Sequence, residues 1–221
     1  MKDQRDTRKG GHYATGEVSV TTVLKMISAP ALTMWLQKEI FNATLDGAKD
    51  FSEANKVVGD ISRAAMSIGT RVHDFVEHYK TDIVPVRYIE DALYYQAFFQ
   101  WISDYNPIFL ERETTVTSKK YGYKGTLDLI AEIDGVRKLV DLKTGKYVYE
   151  TVELQTSAYK LAYQEERPEE ENKIEETWVL LLEKGGDGQP TGKYKYKQTE
   201  YVPEIFLSTL DIYNWKRNMK K

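Results

Sequence analysis

The sequence predicts an α/β protein, because helical and strand patterns alternate along it. Residues 125–146, GTLDLIAEIDGVRKLVDLKTGK, hold two alternating β-prone runs on either side of Asp134-Gly135, a strong signal for a tight hairpin. Val72, Phe75, Val76 and Tyr79 recur at i, i+3, i+4 and i+7, the apolar stripe of an amphipathic helix. The run WVLLL at 178–182 is a buried strand. With 221 residues and 41% hydrophobic content the chain can bury one substantial core, so one domain (17–221) with an elaborated N-terminal part is expected.

Taken in order, residues 1–16 are polar and glycine-bearing and predict a mobile arm. Ser19–Thr22 starts a helix, and Pro30 opens a second one to about Leu45. A longer helical region covers about 51–79, and an aromatic-rich helix covers 88–105, closed by Asn106-Pro107. Residues 17–107 are thus mainly helical, and strands dominate from 108 onward. The first strand, about 110–117, places Glu111, Glu113, Thr115 and Thr117 on one face. After the hairpin come a helix over 150–166, the strand over 176–183, an alternating strand at 193–197 and a last helix opened by Pro203. That last helix has Ile205, Phe206, Leu210 and Tyr213 as its apolar residues.

The hairpin carries the chemistry. With a two-residue turn, Ile133 faces Val136, and counting outward sets Asp128 opposite Asp141. Lys143 lies on the same face, two residues beyond Asp141. Directly opposed residues have Cβ atoms about 4.5–5.5 Å apart, and like charges placed so are destabilising. A divalent cation between the carboxylates reverses that sign, and the lysine supplies a donor for an anionic substrate. A solvated surface with Lys143 bridging both acids is the plainer alternative. Several other residues carry two readings. His73 and Glu77, four apart on one helix edge, form a local pair or a metal ligand with its orienter. Glu113 reaches the metal region or is an edge charge. Gln155 and Tyr159, also i and i+4, line the core or contact phosphate. Lys193, Lys195 and Lys197 protect a sheet edge or follow phosphates.

Composition excludes several classes. Zero cysteines rule out disulfides, thiolate zinc sites and cysteine-bound iron–sulfur clusters, and three histidines make zinc a poor fit. No apolar run approaches the roughly 20 residues of a membrane span, and the first residues lack a signal peptide's apolar stretch, so a cytoplasmic protein with no membrane partner is expected. A net charge of −3 argues against non-specific coating of nucleic acid but allows a local basic groove. Sixteen tyrosines serve core packing or base stacking.

Together these patterns resemble the PD-(D/E)xK nuclease superfamily, and within it the RecB-like exonuclease branch that includes phage exonucleases and the mitochondrial genome-maintenance exonuclease. The matching residues are G-x-x-x-H-x-x-x-E (Gly69, His73, Glu77), G-x-x-D (Gly125, Asp128), D-x-K (Asp141, Lys143) and Q-x-x-x-Y (Gln155, Tyr159), in that order over 69–159. The opening SVTTVLKMISAPALTMWL is similar to the N-terminal helices of phage exonucleases in this branch. The superfamily's proline before the first aspartate is absent, and relatives with an iron–sulfur cluster do not match a chain without cysteine.

The resemblance implies a restriction-endonuclease-like core, a central mixed β-sheet flanked by helices, with an N-terminal helical region. It implies Mg²⁺ or Mn²⁺ held by Asp128, Asp141, the Leu142 carbonyl and His73. Lys143 is implied as a catalytic residue, with Gln155 and Tyr159 positioning the DNA strand; beside these, Glu77 and Glu113 are candidate auxiliary acids, and Lys124 and Lys146 candidate DNA contacts. DNA is the implied substrate, with a recombinase, a single-strand-binding protein or a helicase as separate partner chains. An exonuclease acting in recombination, repair or replication is the leading expectation. A DNA-binding module without catalysis, a structure-specific endonuclease and a hydrolase of small phosphates are the alternatives.

Overall fold

A computed structural model of the chain describes residues 17–27, 30–79, 91–186 and 188–219. The expected N-terminal arm with His12, and the start of the helix expected from residue 88, lie outside them. Two compact units emerge: the described residues within Ser28–Val84 form one, and those within Met1–Ile27 and Pro85–Lys221 form the other.

The smaller unit is helical. Helix α2 (Pro30–Leu45) starts on the expected proline, and α3 (Phe51–His78) is capped by Asp50, whose side chain accepts the Glu53 N–H. Three of the four predicted stripe residues, Val72, Phe75 and Val76, are buried, with Ala54 and Val58 further up the same helix, whereas Tyr79 is half-buried just past the helix end, as its C-cap.

The larger unit is a mixed sheet with helices against it. It comprises β1 (Val18–Ser19), α1 (Val20–Leu24), α4 (Ala92–Tyr105), β2 (Ile108–Ser118), β3 (Tyr123–Ile133), β4 (Val136–Gly145), α5 (Thr151–Glu166), β5 (Glu176–Lys184), β6 (Pro190–Thr199) and α6 (Pro203–Asn218). Helix α4, expected in the helical half, belongs to this unit. Ser19 begins α1 as its cap, accepting the Thr22 N–H at 3.1 Å. Asn106 ends α4 in the left-handed conformation, φ 42°. In α6, Phe206 and Leu210 pack in the core, whereas Ile205 is exposed, on the solvent side of the turn that buries Phe206.

Strands run in the order β1-β3-β4-β5-β6, with β2 also paired to β3. β4–β5 and β1–β3 are parallel, and β2–β3, β3–β4 and β5–β6 antiparallel. The hairpin forms as its sequence predicts: Ile133 pairs with Val136 across Asp134 (φ 55°) and Gly135 (φ 73°), both left-handed as the tight turn requires. β2 takes one edge of β3 from Tyr123 to Glu132, so β1 and β4 divide the other edge between them. On that edge no described backbone pairing reaches residues 125–128, and this gap positions the candidate site.

One buried cluster joins Val116, Tyr123, Leu127, Ile130 and Leu139 of the sheet to Ala158, Tyr159, Ala162 and Tyr163 of α5 and Phe206 and Leu210 of α6. At the other side of the sheet, aromatic residues of α4 meet β2, β5 and β6. There Trp101 lies 5.6 Å from Tyr196, Tyr105 4.7 Å from Tyr196, and Trp178 is stacked on Tyr196 at 4.4 Å. Many of the sixteen tyrosines are therefore packing residues. Among the described residues no helix is long and apolar enough to cross a membrane.

Candidate active site

The β3–β4 ladder runs from Ile133↔Val136 to Leu129↔Val140 in the predicted register and stops one pair short of Asp128 and Asp141. There the strands part, and a side chain replaces the missing backbone acceptor: Asp128 Oδ2 accepts the Leu142 N–H at 2.7 Å. Asp128 is thereby fixed at the mouth of the gap, half-buried.

Asp141 is 1% exposed, and its Oδ2 lies 2.6 Å from Lys143 Nζ. The two side chains share a face, as strand alternation requires. Burial pushes the Lys143 ammonium down from its ordinary pKa, but the carboxylates of Asp141 and Asp128 outweigh that effect, and the net shift is upward. Lys143 is therefore a firmly charged cation, about a third exposed, beside two acids.

Glu113 enters from β2. The β2–β3 pairing passes from Arg112↔Leu129 to Thr114↔Leu127, with Glu113 and Asp128 between these pairs. Glu113 has φ 43°, a left-handed residue inside a strand. The turn of backbone breaks the expected alternation. Glu111 faces α5, where Tyr163 donates to its carboxylate at 2.5 Å, yet the next residue of β2 in the α5-side cluster is Val116. Glu111, Glu113, Thr115 and Thr117 consequently do not share one face. One carboxylate oxygen of Glu113 lies within 4.8 Å of one of Asp128. Counting alone could not find this, since the left-handed residue carries no mark in the sequence.

Helix α5 supplies the polar pair. Gln155 Nε2 donates to the Tyr159 hydroxyl at 3.0 Å, and Tyr159 is 3% exposed. The Tyr159 ring turns its Cε1 edge toward Gly125. A Cβ there would stand 3.2 Å from Cδ1 and nearer still to Cε1, so only glycine fits. The glycine and the tyrosine of two separate sequence motifs are thus one contact.

The expected DNA contacts differ in exposure. Lys146 is exposed, its ammonium 5.5 Å above the Tyr147 ring. Lys124 is only 16% exposed and lies 3.7 Å from Glu17, a placement suited to holding β1 on β3. His73 and Glu77 sit on α3 of the helical unit, half-buried beside the core stripe. His78 turns back on its own helix, its Nδ1 2.8 Å from the Asp74 carbonyl.

Asp128, Asp141 and Glu113 offer hard oxygen donors, the type Mg²⁺ and Mn²⁺ select, and two of the three lie at a separation one ion can bridge. The residues present therefore fit a divalent cation.

No family model and no curated protein sequence matches the chain. Among solved structures, one from Eubacterium rectale described as a candidate exonuclease is similar at 15% identity and a TM-score of 0.45. The match covers 71% of this chain and 66% of the other, just under two thirds of its length. A structure named SSO0001 is similar at 14% identity and a TM-score of 0.34, covering 82% of this chain and 84% of the other.

Proposed function

We propose that the chain is a Mg²⁺- or Mn²⁺-dependent deoxyribonuclease that hydrolyses phosphodiester bonds from DNA ends. The observation that carries this reading is the convergence of Asp141, Lys143, Asp128 and Glu113 where β2, β3 and β4 part. A sheet needing only stability would not gather three carboxylates where its strands part.

In this reading Asp128, Asp141 and Glu113 hold the cation, with the Leu142 carbonyl beside them. His73, with Glu77 as its orienter, enters through its sequence motif alone. When bound, the cation supplies Lewis-acid polarisation of the phosphoryl group and a more acidic water. Lys143 places its ammonium, held beside Asp141, at the phosphate, where negative charge grows in the transition state. The Leu142 N–H holds Asp128 in one orientation, so its position need not be set during reaction. Gln155 and Tyr159 brace the strand end that carries Asp128 through the contact with Gly125. A role in recombination, repair or replication, with a recombinase, a single-strand-binding protein or a helicase as partner, follows from the sequence resemblance. The same holds for a cytoplasmic setting.

The test is digestion of 5′- and 3′-labelled single-stranded, duplex and circular DNA with Mg²⁺ or Mn²⁺. Asp128→Ala and Asp141→Ala should abolish cleavage with melting temperatures retained, and Lys143→Ala should slow it about 10²–10³-fold. Circular DNA should resist. Cleavage of circles instead supports an endonuclease, binding without cleavage a DNA-binding module, and hydrolysis of nucleotide monoesters alone a small-phosphate hydrolase. Full activity in either aspartate variant overturns the assignment.

A further inference from the structure

β4, β5 and β6 keep register across residues 139–144, 177–182 and 194–199, and the β5–β6 pairing shifts beyond Leu182. Asp141 pairs with Val179 and Val179 with Lys197; Lys143 pairs with Leu181 and Leu181 with Lys195. Residues directly across a ladder point to the same face of the sheet. Lys195 and Lys197 therefore stand on the face of Asp141 and Lys143, two strands away across the buried Val179 and Leu181 of β5, which at about 4.8 Å per strand is about 10 Å. Lys193 extends the row by alternation, and all three lysines are exposed. Tyr194 and Tyr196 point the other way, into the aromatic cluster of α4.

The spacing along the row, about 6.5 Å between alternate residues, brings one ammonium after another along an extended path. Among the described residues Glu183 meets it, with Oε1 2.6 Å from Lys195 Nζ. That pair is largely solvent-exposed on the lysine side and holds the ammonium only weakly. The segment leaving β4 just past Lys143 adds exposed Tyr147 and Tyr149 on either side of Val148, with Lys146 before them. Aromatic faces of this kind stack bases without regard to sequence.

Among the described residues β6 is also an edge strand of the sheet, and lysines discourage edge-to-edge pairing. Edge protection asks only for charge on the strand, whichever face carries it. Tyr194 and Tyr196 fill the face against α4, so the lysines take the face of Asp141 and Lys143, where the same charges protect the edge and meet a phosphate backbone. We propose that Lys193, Lys195 and Lys197 form a track for the phosphate backbone of the DNA strand whose scissile bond lies at Asp141 and Lys143, an inference that rests on the nuclease function proposed above.

The experiment is DNA binding to the full chain in EDTA, read by fluorescence anisotropy across a salt titration with a labelled single strand. Each phosphate contact contributes about 0.7 to the slope of log affinity against log salt. The triple Lys193→Gln, Lys195→Gln, Lys197→Gln variant should lose about 2 from that slope and bind about ten-fold or more weakly at low salt. The triple Lys→Arg variant should keep both. If the triple Gln variant melts early, the single variants read the same effect, about 0.7 each. An unchanged slope and affinity in the Gln variants overturn the track, whatever the wild-type chain does to DNA in Mg²⁺. A lysine-dependent slope in a chain that cleaves nothing upholds the track and overturns the nuclease reading alone.

Discussion

At the scale of single residues, Gly125 shows how a sequence spacing becomes geometry. Its backbone lies against the Cε1 edge of the Tyr159 ring, and a methyl group there would run into that rigid edge rather than a flexible tip. Tyr159 is buried and held by Gln155, so it has little room to yield. Gly125→Ala should therefore cost about 1–3 kcal/mol, as overpacking in a filled core does, and should lower cleavage by shifting the strand that carries Asp128. Thermal melting and a digestion assay read the two effects. A variant with wild-type melting and activity would show that the ring moves freely. The pairing of Gln155 with Tyr159 was legible because a helix brings i and i+4 together. The contact of Gly125 with Tyr159 was not, because no local rule relates residues on different elements.

At the scale of elements, the β3–β4 hairpin was legible almost to the atom. Asp134-Gly135 fixes the turn, the turn fixes the register, and the register brings Asp128 and Asp141 to one place. Only its last pair departs, where Asp128 bonds the Leu142 N–H instead of continuing the ladder. β2 was less legible, since period-two counting assumes extended backbone at each residue and Glu113 is left-handed. That conformation costs a residue with a Cβ about 1–2 kcal/mol, and such outliers gather at functional sites. Glu113→Gly and Glu113→Ala both remove the carboxylate, but only glycine releases the strain. The glycine variant should melt about 2–4 °C above the alanine variant, the shift for about 1 kcal/mol in a chain of this size, while both lose cleavage alike. Equal melting would mean that the left-handed turn at Glu113 is unstrained.

At the scale of the whole molecule, the hydrophobic content that the sequence presents as one total is divided unequally. The largest fully buried side chains among the described residues, including Trp101, Tyr94, Tyr123, Tyr163, Phe98, Phe206 and Leu127, all belong to the sheet unit. The helical unit buries smaller groups, Ala43, Ala54, Val58, Val72 and Val76 with Phe75, and leaves Met34, Phe41, Leu45, Phe51 and Met66 more than 60% exposed. Composition could not reveal this, because an exposed Leu and a buried one count the same. Local opening free energy follows the apolar surface buried around each hydrogen bond, so different parts of a chain open at different cost. The helical unit should open more readily than the sheet. Native-state hydrogen exchange by mass spectrometry should show amides of Phe51–His78 exchanging well before those of Tyr123–Ile133 and Val136–Gly145. Elements that must move to admit a substrate come from the low-stability end of this range, whereas acids that must hold one geometry belong on the slow-exchanging strands. Exchange in the long helix as slow as in the hairpin would mean that the helical unit shares the stability of the sheet, and the division of the core would then have no consequence for motion.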